Sequence, residues 1–296
     1  MYSEIASNKR RSIFLVVIFV VFISAFGYLL ALALNRPGMV VFIVSFAVVY
    51  ALVSYFASAS ITLALTRAQP IEKKDAPALY RIVENLTIAG GLPMPSIYII
   101  NDDSPNAFST GKDPKHASVA VTTGLLSIME PDELEGVIAH ELSHIGNYDI
   151  RFMALVVVLV AVVAMLSDLF LRITFWTNDN ENGGNPIFLV MGLLGALLAP
   201  LAAILIQMAV SRKREFLADA SGALLTRYPD GLAKALKKIA DDPRGMSRSN
   251  SATASLYISN PLKGKKGMSQ SLMSLFDTHP NTAERIKRLH EMGGKS

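Results

Sequence analysis

Four apolar segments dominate this sequence, and each is long enough to cross a lipid bilayer as a helix. They cover residues 13–34, 39–65, 152–171 and 187–210. About 20 apolar residues span the roughly 30 Å of hydrocarbon in a bilayer. Apolar residues make up 51% of the 296-residue chain and charged residues 18%, less than the roughly 25% of soluble domains. These features predict a multi-pass membrane protein and exclude a wholly soluble enzyme or a disordered chain.

The first apolar segment has some features of a signal peptide. Basic residues 9–11 precede it, and residues 31–33 resemble a cleavage site. However, the segment has 22 residues, whereas the apolar core of a signal peptide has about 7–15. Because the second segment follows after a short connector, we predict a helical hairpin through the bilayer.

Basic residues determine the predicted orientation, since cytoplasmic segments of membrane proteins are enriched in lysine and arginine. Of the 28 such residues, 26 lie in residues 1–12, 66–151 and 211–296. Only Arg36 and Arg172 lie in the two short connectors. Both termini and both large polar segments are therefore expected in the cytoplasm. Membrane topology accounts for the net charge of +4, so no nucleic-acid partner is expected.

The polar segments are typical of an α+β domain with a small sheet. Helices are expected over 76–89, from about Pro131, over 212–238 and over 281–292, and strands over 96–100 and 117–122. Residues 101–115 are rich in turn-forming types. Residues 241–270 are rich in Ser, Gly and Lys, which is typical of a mobile loop. The predicted fold class is a mainly α integral membrane protein with four transmembrane helices and a cytoplasmic α+β domain.

The chemistry is concentrated in the motif His140-Glu141-Leu142-Ser143-His144. Two histidines four residues apart share one face of a helix, so both imidazoles can bind one zinc ion. The glutamate beside the first histidine can take a proton from a water molecule at the metal. The alternative is a helix that carries two surface histidines. The chain has no cysteine, which excludes a thiolate zinc site and a cysteine nucleophile.

A catalytic zinc ion needs a third protein ligand. The metzincin pattern is excluded, because Asn147 and Ile150 stand at its glycine and histidine positions. Glu215 and Asp219 lie four residues apart on a later predicted helix, so both can face the first one. Glu215 is the candidate ligand, and Asp219 is expected to accept the N–H of His140. The alternative is a solvated charge cluster at the membrane edge.

Several motifs together resemble a known family. Residues 139–144 and 211–220, with Pro105-Asn106-Ala107-Phe108 and His279-Pro280, closely resemble the bacterial HtpX-type membrane peptidases. These gluzincins belong to a family that also includes the CAAX prenyl proteases, and the resemblance covers nearly the whole chain. It implies a zinc-dependent endopeptidase of the bacterial inner membrane, with one Zn²⁺ per chain. It also implies a role in protein quality control and in heat or envelope stress, with membrane proteins or unfolded polypeptides as substrates.

The resemblance divides the chain into two membrane hairpins and a zincin-like metalloprotease domain in two parts. The expected parts are a transmembrane hairpin (1–66), the first part of the cytoplasmic protease domain (67–151), a second hairpin (152–210) and the second part of that domain (211–296).

The resemblance also suggests roles for three further residues. His279 is expected near the zinc as a donor to the oxyanion of the tetrahedral intermediate, although it could instead be a structural histidine at a helix start. Asn106 is expected beside an edge strand along which an extended substrate lies, although it could simply stabilise a turn. Arg285 is a further candidate, and its alternative is an ion pair with a nearby acid. His116 and His290 are interpreted as surface residues.

Two other functions remain open at the level of the sequence. One is a dedicated membrane processing protease of the CAAX-protease type. The other is a non-catalytic chaperone or adaptor that keeps zinc for structure. An intact Glu141 argues against the second, because a structural site needs no base and normally has four protein ligands. The sequence leaves the oligomeric state unknown.

Overall fold

The computed structural model describes residues 2–33, 36–178, 193, 212–247, 253–261 and 280–294. The helices in these ranges are α1 (Tyr2–Ala33), α2 (Met39–Leu65), α3 (Pro77–Gly90), α4 (Thr123–Ile128), α5 (Pro131–Gly146), α6 (Asp149–Asn178), α7 (Arg212–Thr226), α8 (Pro229–Asp241) and α9 (Thr282–Gly293). The strands are β1 (Gln69–Pro70), β2 (Ser96–Ile100), β3 (Ala107–Gly111) and β4 (Ala117–Thr122). The chain is thus mostly helical with one small sheet, as the sequence predicts.

Helices α1, α2 and α6 pack together through apolar side chains. The buried core of this bundle contains Leu15, Phe19 and Ile23 of α1, Ala47 and Ala51 of α2, and Phe152, Leu155, Leu159 and Val163 of α6. The residues that α1 contributes recur every four positions, which places them on one helix face. The two alanines on α2 allow close helix approach, as small residues do in membrane bundles.

The outer faces of α1 and α2 expose large apolar side chains. More than half of the surface of each of these is exposed: Ile13, Phe14, Val17 and Val21 on α1, and Val41, Phe42, Phe46, Val49 and Phe56 on α2. An apolar surface of this extent is typical of a protein that contacts lipid.

By length and composition, one described helix can cross a membrane, over Val40–Leu65. The pair Pro131–Gly146 and Asp149–Met165 passes the same test together, with an 85° bend between the two helices. The predicted fourth segment, 187–210, lies outside the described residues apart from position 193.

The four strands form one mixed sheet in the order β1-β2-β4-β3. Strands β2 and β4 coincide with the two strands that the sequence predicts, and they pair in parallel. Strands β1 and β3 pair antiparallel to them at the two edges. The turn-rich residues 101–115 also contain β3, a strand that was not predicted from the sequence. All five residues of β3 are buried, so its mixture of small and polar types shows no alternation that would reveal a strand.

Helix α5 crosses the core that the sheet forms with helices α3, α7 and α8. It begins at Pro131 after a capping box, in which Glu130 N–H donates to the Glu133 carboxylate at 2.9 Å. Val137, Ile138, Leu142 and Ile145 of α5 are fully buried in one apolar cluster with residues of the sheet, α3, α7 and α8. This packing holds α5 rigidly between the sheet and the later helices.

Two further expectations need correction. The helix predicted over 212–238 is divided into α7 and α8, because Arg227 adopts a left-handed φ of 55° and Pro229 starts a new helix. The segment 241–270 is not a mobile loop throughout. Residues 253–258 are buried and include a 3-10 turn at Ala254–Leu256.

Candidate metal centre

The candidate site lies between α5 and α7, whose backbones approach closely. A Cβ atom added at Gly222 of α7 would lie 3.0 Å from the backbone N of His140 on α5. Glycine at this position therefore permits the contact. One helical turn apart on the same face of α7, Glu215 and Asp219 are buried against α5.

Three side chains bring ligand atoms to a common centre. Nε2 of His140 and Nε2 of His144 lie 3.2 Å apart. Glu215 Oε2 lies 3.7 Å from the first of these nitrogens, and Glu215 Oε1 lies 3.6 Å from the second. Two atoms bound to a tetrahedral zinc ion at about 2.0–2.1 Å are about 3.3 Å apart. The three residues therefore fit one zinc ion, and among the described residues they form the group able to hold a metal.

The outer nitrogen of each histidine meets a carboxylate. His140 Nδ1 lies 3.0 Å from Asp219 Oδ1, and His144 Nδ1 lies 3.0 Å from Asp149 Oδ2. When each Nδ1–H donates to its carboxylate, each Nε2 lone pair points toward the common centre. Both imidazoles are thereby held in the tautomer and the orientation that a metal requires.

The charges of the site favour a cation. The carboxylates of Glu141, Asp149, Glu215 and Asp219 are all buried there, and Arg285 contacts only the last two among them. Burial alone would lower the pKa of His144, but the hydrogen bond to Asp149 and the charge of Glu215 raise it to about 9. The surroundings therefore stabilise positive charge at the position where the ligand atoms meet.

Arg285 lies inside the site rather than on the surface, with 1% of its side chain exposed. Its Nε and Nη2 donate to the two oxygens of Asp219 at 2.8 and 2.7 Å. Its Nη1 lies 3.8 Å from Glu215 Oε2. Burial would raise the pKa of Asp219, but Arg285 and His140 outweigh it and lower the pKa to about 2. The ion pair that the sequence left as an alternative for Arg285 is thus present, and it borders two of the candidate metal-site residues.

Glu141 is buried beside the ligand cluster but is not one of its three members. Its Oε2 accepts a hydrogen bond of 2.8 Å from Ser109 Oγ on β3. The base candidate is therefore oriented by the edge strand.

The outer edge of β3 runs past Glu141. Thr122 N–H donates to Asn106 C=O, and by the alternation of an antiparallel pair the backbone groups of Ala107, Ser109 and Gly111 point away from β4. Ile258 N–H donates to Ala107 C=O at 3.0 Å on that outer edge.

Asn106 binds the same segment of the chain. Its Nδ2 donates to Ser259 C=O at 2.9 Å and its Oδ1 accepts from Ser259 N–H at 3.2 Å. The neighbouring Tyr257 ring contacts the Phe108 ring edge-on, with centroids 5.3 Å apart. Asn106 therefore holds residues 257–259 along the start of the edge strand.

Two residues of the site, Ser109 and Asp149, were not predicted from the sequence. Ser109 gave no signal, because its role depends on a strand that its own residue types do not indicate. Asp149 lies three residues before the third apolar segment and five residues after His144. A charged residue beside an apolar segment indicates a possible functional role. The direction of the Asp149 side chain, however, depends on Tyr148, whose left-handed φ of 61° turns the chain. The candidate His279 lies outside the described residues.

This constellation can be compared with known proteins. Residues 73–293 match the family described as "Peptidase family M48". The chain belongs to this family. The peptidase is 46% identical over 295 residues to the "Protease HtpX homolog" of Tropheryma whipplei (strain Twist). The alignment covers 100% of this chain and 99% of that relative. The protein of the same name from Streptococcus gordonii is 42% identical over 302 residues, with 99% and 100% covered.

A solved structure has a similar fold. The crystal structure of S. mikatae Ste24p aligns with 98% of the peptidase and 67% of its own chain, with a TM-score of 0.50 and 20% identity. Together with the family and the full-length relatives, the three-ligand centre identifies the peptidase as a zinc-dependent membrane metalloprotease whose substrates are polypeptides.

Proposed function

We propose that this chain is a multi-pass endopeptidase that cleaves unfolded or misfolded membrane proteins, with His140, His144 and Glu215 as zinc ligands. Glu141 is the general base. The observation that carries the proposal is the position of Glu141, which is buried next to the ligand cluster without being part of it. A structural zinc site has no need of such a group.

Zinc, when bound, acts as a Lewis acid toward the scissile carbonyl and favours deprotonation of a water molecule. Glu141 accepts the proton of that water and then gives it to the leaving amine. Ser109 holds the carboxylate of Glu141 for this transfer through its 2.8 Å hydrogen bond. Because both side chains are buried, the carboxylate keeps one orientation.

The remaining residues position the ligands. Asp219 holds His140, and Arg285 holds Asp219 with two hydrogen bonds. His279 is the proposed donor to the oxyanion, on the strength of the family motif alone.

An extended substrate is proposed to add a strand along the outer edge of β3. The backbone groups of Ser109 and Gly111 point to this edge, and Ser109 contacts Glu141. A peptide paired there would pass the base at the level of its scissile bond. Asn106 acts at the start of this line, where it fixes residues 257–259 through the backbone of Ser259.

The proposed topology has four spans, with both termini and the protease domain in the cytoplasm. The basic residues support it, since 26 of 28 lie on that side. The exposed apolar faces of α1 and α2 support contact with lipid. We propose the parts 1–66, 67–151, 152–210 and 211–296, and the bacterial inner membrane as location. Stress response and protein quality control follow from the resemblance to HtpX-type peptidases.

The proposal is tested with purified full-length protein and a membrane-protein substrate, with and without zinc. Glu141→Gln keeps the shape of the side chain and its contact with Ser109 but loses the base. We expect it to retain zinc and the fold while proteolysis falls by at least about 10²–10⁴-fold, the contribution of a general base. Zinc content and product chain length are measured under identical conditions.

The matched control is Glu135→Gln on the same helix, a partly exposed position outside the ligand cluster that should leave proteolysis and zinc content unchanged. Zinc-loaded wild-type protein that cleaves no unfolded or membrane substrate, and behaves like Glu141→Gln, would favour the scaffold instead. Cleavage confined to one maturing substrate would favour a CAAX-type processing protease.

A further inference from the structure

The first membrane helix contributes a buried polar residue close to the metal centre. Asn8 lies near the start of α1, and 1% of its surface is exposed. Polar groups that are buried beside a membrane are costly unless they are hydrogen-bonded. The partners of Asn8 therefore indicate why an amide is found here.

Asn8 binds the segment that joins α5 to α6. Its Nδ2 donates to Asp149 Oδ1 at 2.6 Å and to Asn147 C=O at 3.1 Å. One amide group thus uses both of its N–H donors across more than 130 residues of sequence. These contacts connect α1 to the turn that follows α5, the helix that carries His140 and His144.

The opposite oxygen of the same carboxylate faces a zinc ligand. Asp149 Oδ2 lies 3.0 Å from His144 Nδ1, while Nε2 of that histidine points to the metal centre. Asn8, Asp149 and His144 therefore form a continuous line of hydrogen bonds from the first membrane helix to the metal. All three side chains are buried.

The orientation of Asp149 depends on this line. The chain bends by 85° between α5 and α6, and Tyr148 in the bend has a left-handed φ of 61°. A carboxylate at the first residue of a helix can rotate about its side-chain bonds. The donor from Asn8 fixes one oxygen and thereby directs the other toward His144.

We propose that Asn8 is a positioning residue of the metal centre, which makes zinc binding depend on the docking of the first membrane helix. It acts through Asp149 and does not touch the metal. The inference rests on the proposed ligand set, because it needs His144 to bind zinc. The N-terminal helix is then part of the catalytic unit as well as a membrane anchor.

The test measures zinc affinity of the purified full-length protein by competition with a chromophoric chelator. Asn8→Leu keeps a similar volume and removes the donor. Loss of a group that hydrogen-bonds a metal-binding histidine weakens metal binding by about 10–100-fold. We expect that range for Asp149→Asn and a smaller loss of about 3–10-fold for Asn8→Leu. The double variant should bind zinc within about twofold of Asp149→Asn, because both changes break one line of contacts.

The matched control is Ser12→Ala, one turn further along α1. Ser12 is as buried as Asn8, but its hydroxyl donates only to the carbonyl of Asn8 in its own helix. We expect unchanged zinc affinity for this variant. Wild-type affinity in Asn8→Leu overturns the inference, and so does an equal loss in Ser12→Ala or an additive double variant.

His144→Ala separates this inference from the proposed function. If it loses zinc while Asn8→Leu keeps wild-type affinity, only the role of Asn8 fails. If His144→Ala keeps zinc, the proposed ligand set fails and the inference with it.

A second measurement does not require Asn8 to be changed. The chain has no native cysteine, so a single thiol can report whether α1 is docked. If zinc and α1 are coupled, the coupling is reciprocal, and zinc should slow thiol labelling of Ser12→Cys several-fold. Thr62→Cys on α2, which is equally buried, is the control. Equal slowing at both positions, or none at residue 12, overturns the inference.

Discussion

Asp219 and Arg285 form a buried ion pair directly behind His140. Two hydrogen bonds join them, and the Asp219 carboxylate also meets His140 Nδ1 at 3.0 Å. Asp219→Asn would keep the shape but remove the charge that compensates the buried guanidinium. Removing one partner of a buried pair costs about 3–5 kcal/mol, and loss of the carboxylate that orients a metal-binding histidine weakens metal binding by about 10–100-fold. We expect both effects, measured by thermal unfolding and by chelator competition.

An exposed pair on the same helix as Arg285 gives the matched control. Glu284 Oε1 accepts from Arg288 Nη2 at 2.7 Å, and both side chains are about half exposed. Surface pairs contribute about 0–1 kcal/mol, so Glu284→Gln should leave stability and zinc affinity nearly unchanged. Similar losses in Asp219→Asn and Glu284→Gln would contradict a special role of the buried pair.

The metal-site candidates could be predicted from the sequence because helical spacing alone relates them. His140 and His144, like Glu215 and Asp219, lie four residues apart on one helix, and this places each pair on one face. Asp149 and Ser109 follow no such rule. The first depends on the turn at Tyr148, and the second depends on an edge strand, so only the tertiary structure reveals them.

At the level of elements, the contact between α5 and α7 determines the geometry of the site. In an ordinary helix interior, glycine to alanine stabilises by up to about 1 kcal/mol. At Gly222 the added Cβ would lie 3.0 Å from His140 N and 3.2 Å from Ala139 C. These backbone atoms can move only if the helices separate, which would carry Glu215 away from the histidines.

We therefore expect Gly222→Ala to lower both thermal stability and zinc affinity, opposite to the helix-propensity effect. Gly90→Ala is the control, because it also lies in a helix but its added Cβ would meet only side-chain atoms at 3.4 Å or more. The readouts are the unfolding temperature and the zinc affinity of each purified variant. A more stable Gly222→Ala protein with unchanged zinc affinity would show that the helices tolerate the methyl group.

Helices α1, α2 and α6 could be predicted because each covers a continuous run of apolar residues, and β2 and β4 because each is a short run rich in apolar residues. Strand β3 could not, since it contains a single large apolar residue, Phe108, followed by Ser109, Thr110 and Gly111. Residues 253–258 looked polar and mobile in sequence. They are buried because this segment is held against the sheet by two hydrogen bonds, from Asn106 Nδ2 to Ser259 C=O and from Ile258 N–H to Ala107 C=O. The bonded residues are more than 150 positions apart in the sequence.

On the scale of the whole molecule, the candidate metal centre lies where helices α1, α2 and α6 meet the sheet and helices α5 and α7. Arg151 at the start of α6 donates to Lys112 C=O at 2.6 Å, and the Arg214 guanidinium lies 5.0 Å from the centroid of the Phe152 ring. Leu63 of α2 packs in one cluster with Phe108 of β3 and Met153 of α6. Displacement of α2 or α6 would therefore be transmitted directly to α7, which carries Glu215, and to the edge strand β3.

The topology of the whole chain gives the last prediction. In the proposed arrangement, the connector between the third and fourth apolar segments faces away from the cytoplasm, because it holds a single basic residue, Arg172. The absence of native cysteine allows single thiols to be introduced at Asn180 in this connector and at the exposed Lys115 in the protease domain. In intact cells a membrane-impermeant thiol reagent should label Asn180→Cys, whereas Lys115→Cys should react only after permeabilisation. Retained zinc content would show that each variant is folded. Labelling of position 180 only after permeabilisation would mean that the orientation is reversed or that the second hairpin does not cross the membrane. Membrane substrates would then have to reach the zinc ligands by another route.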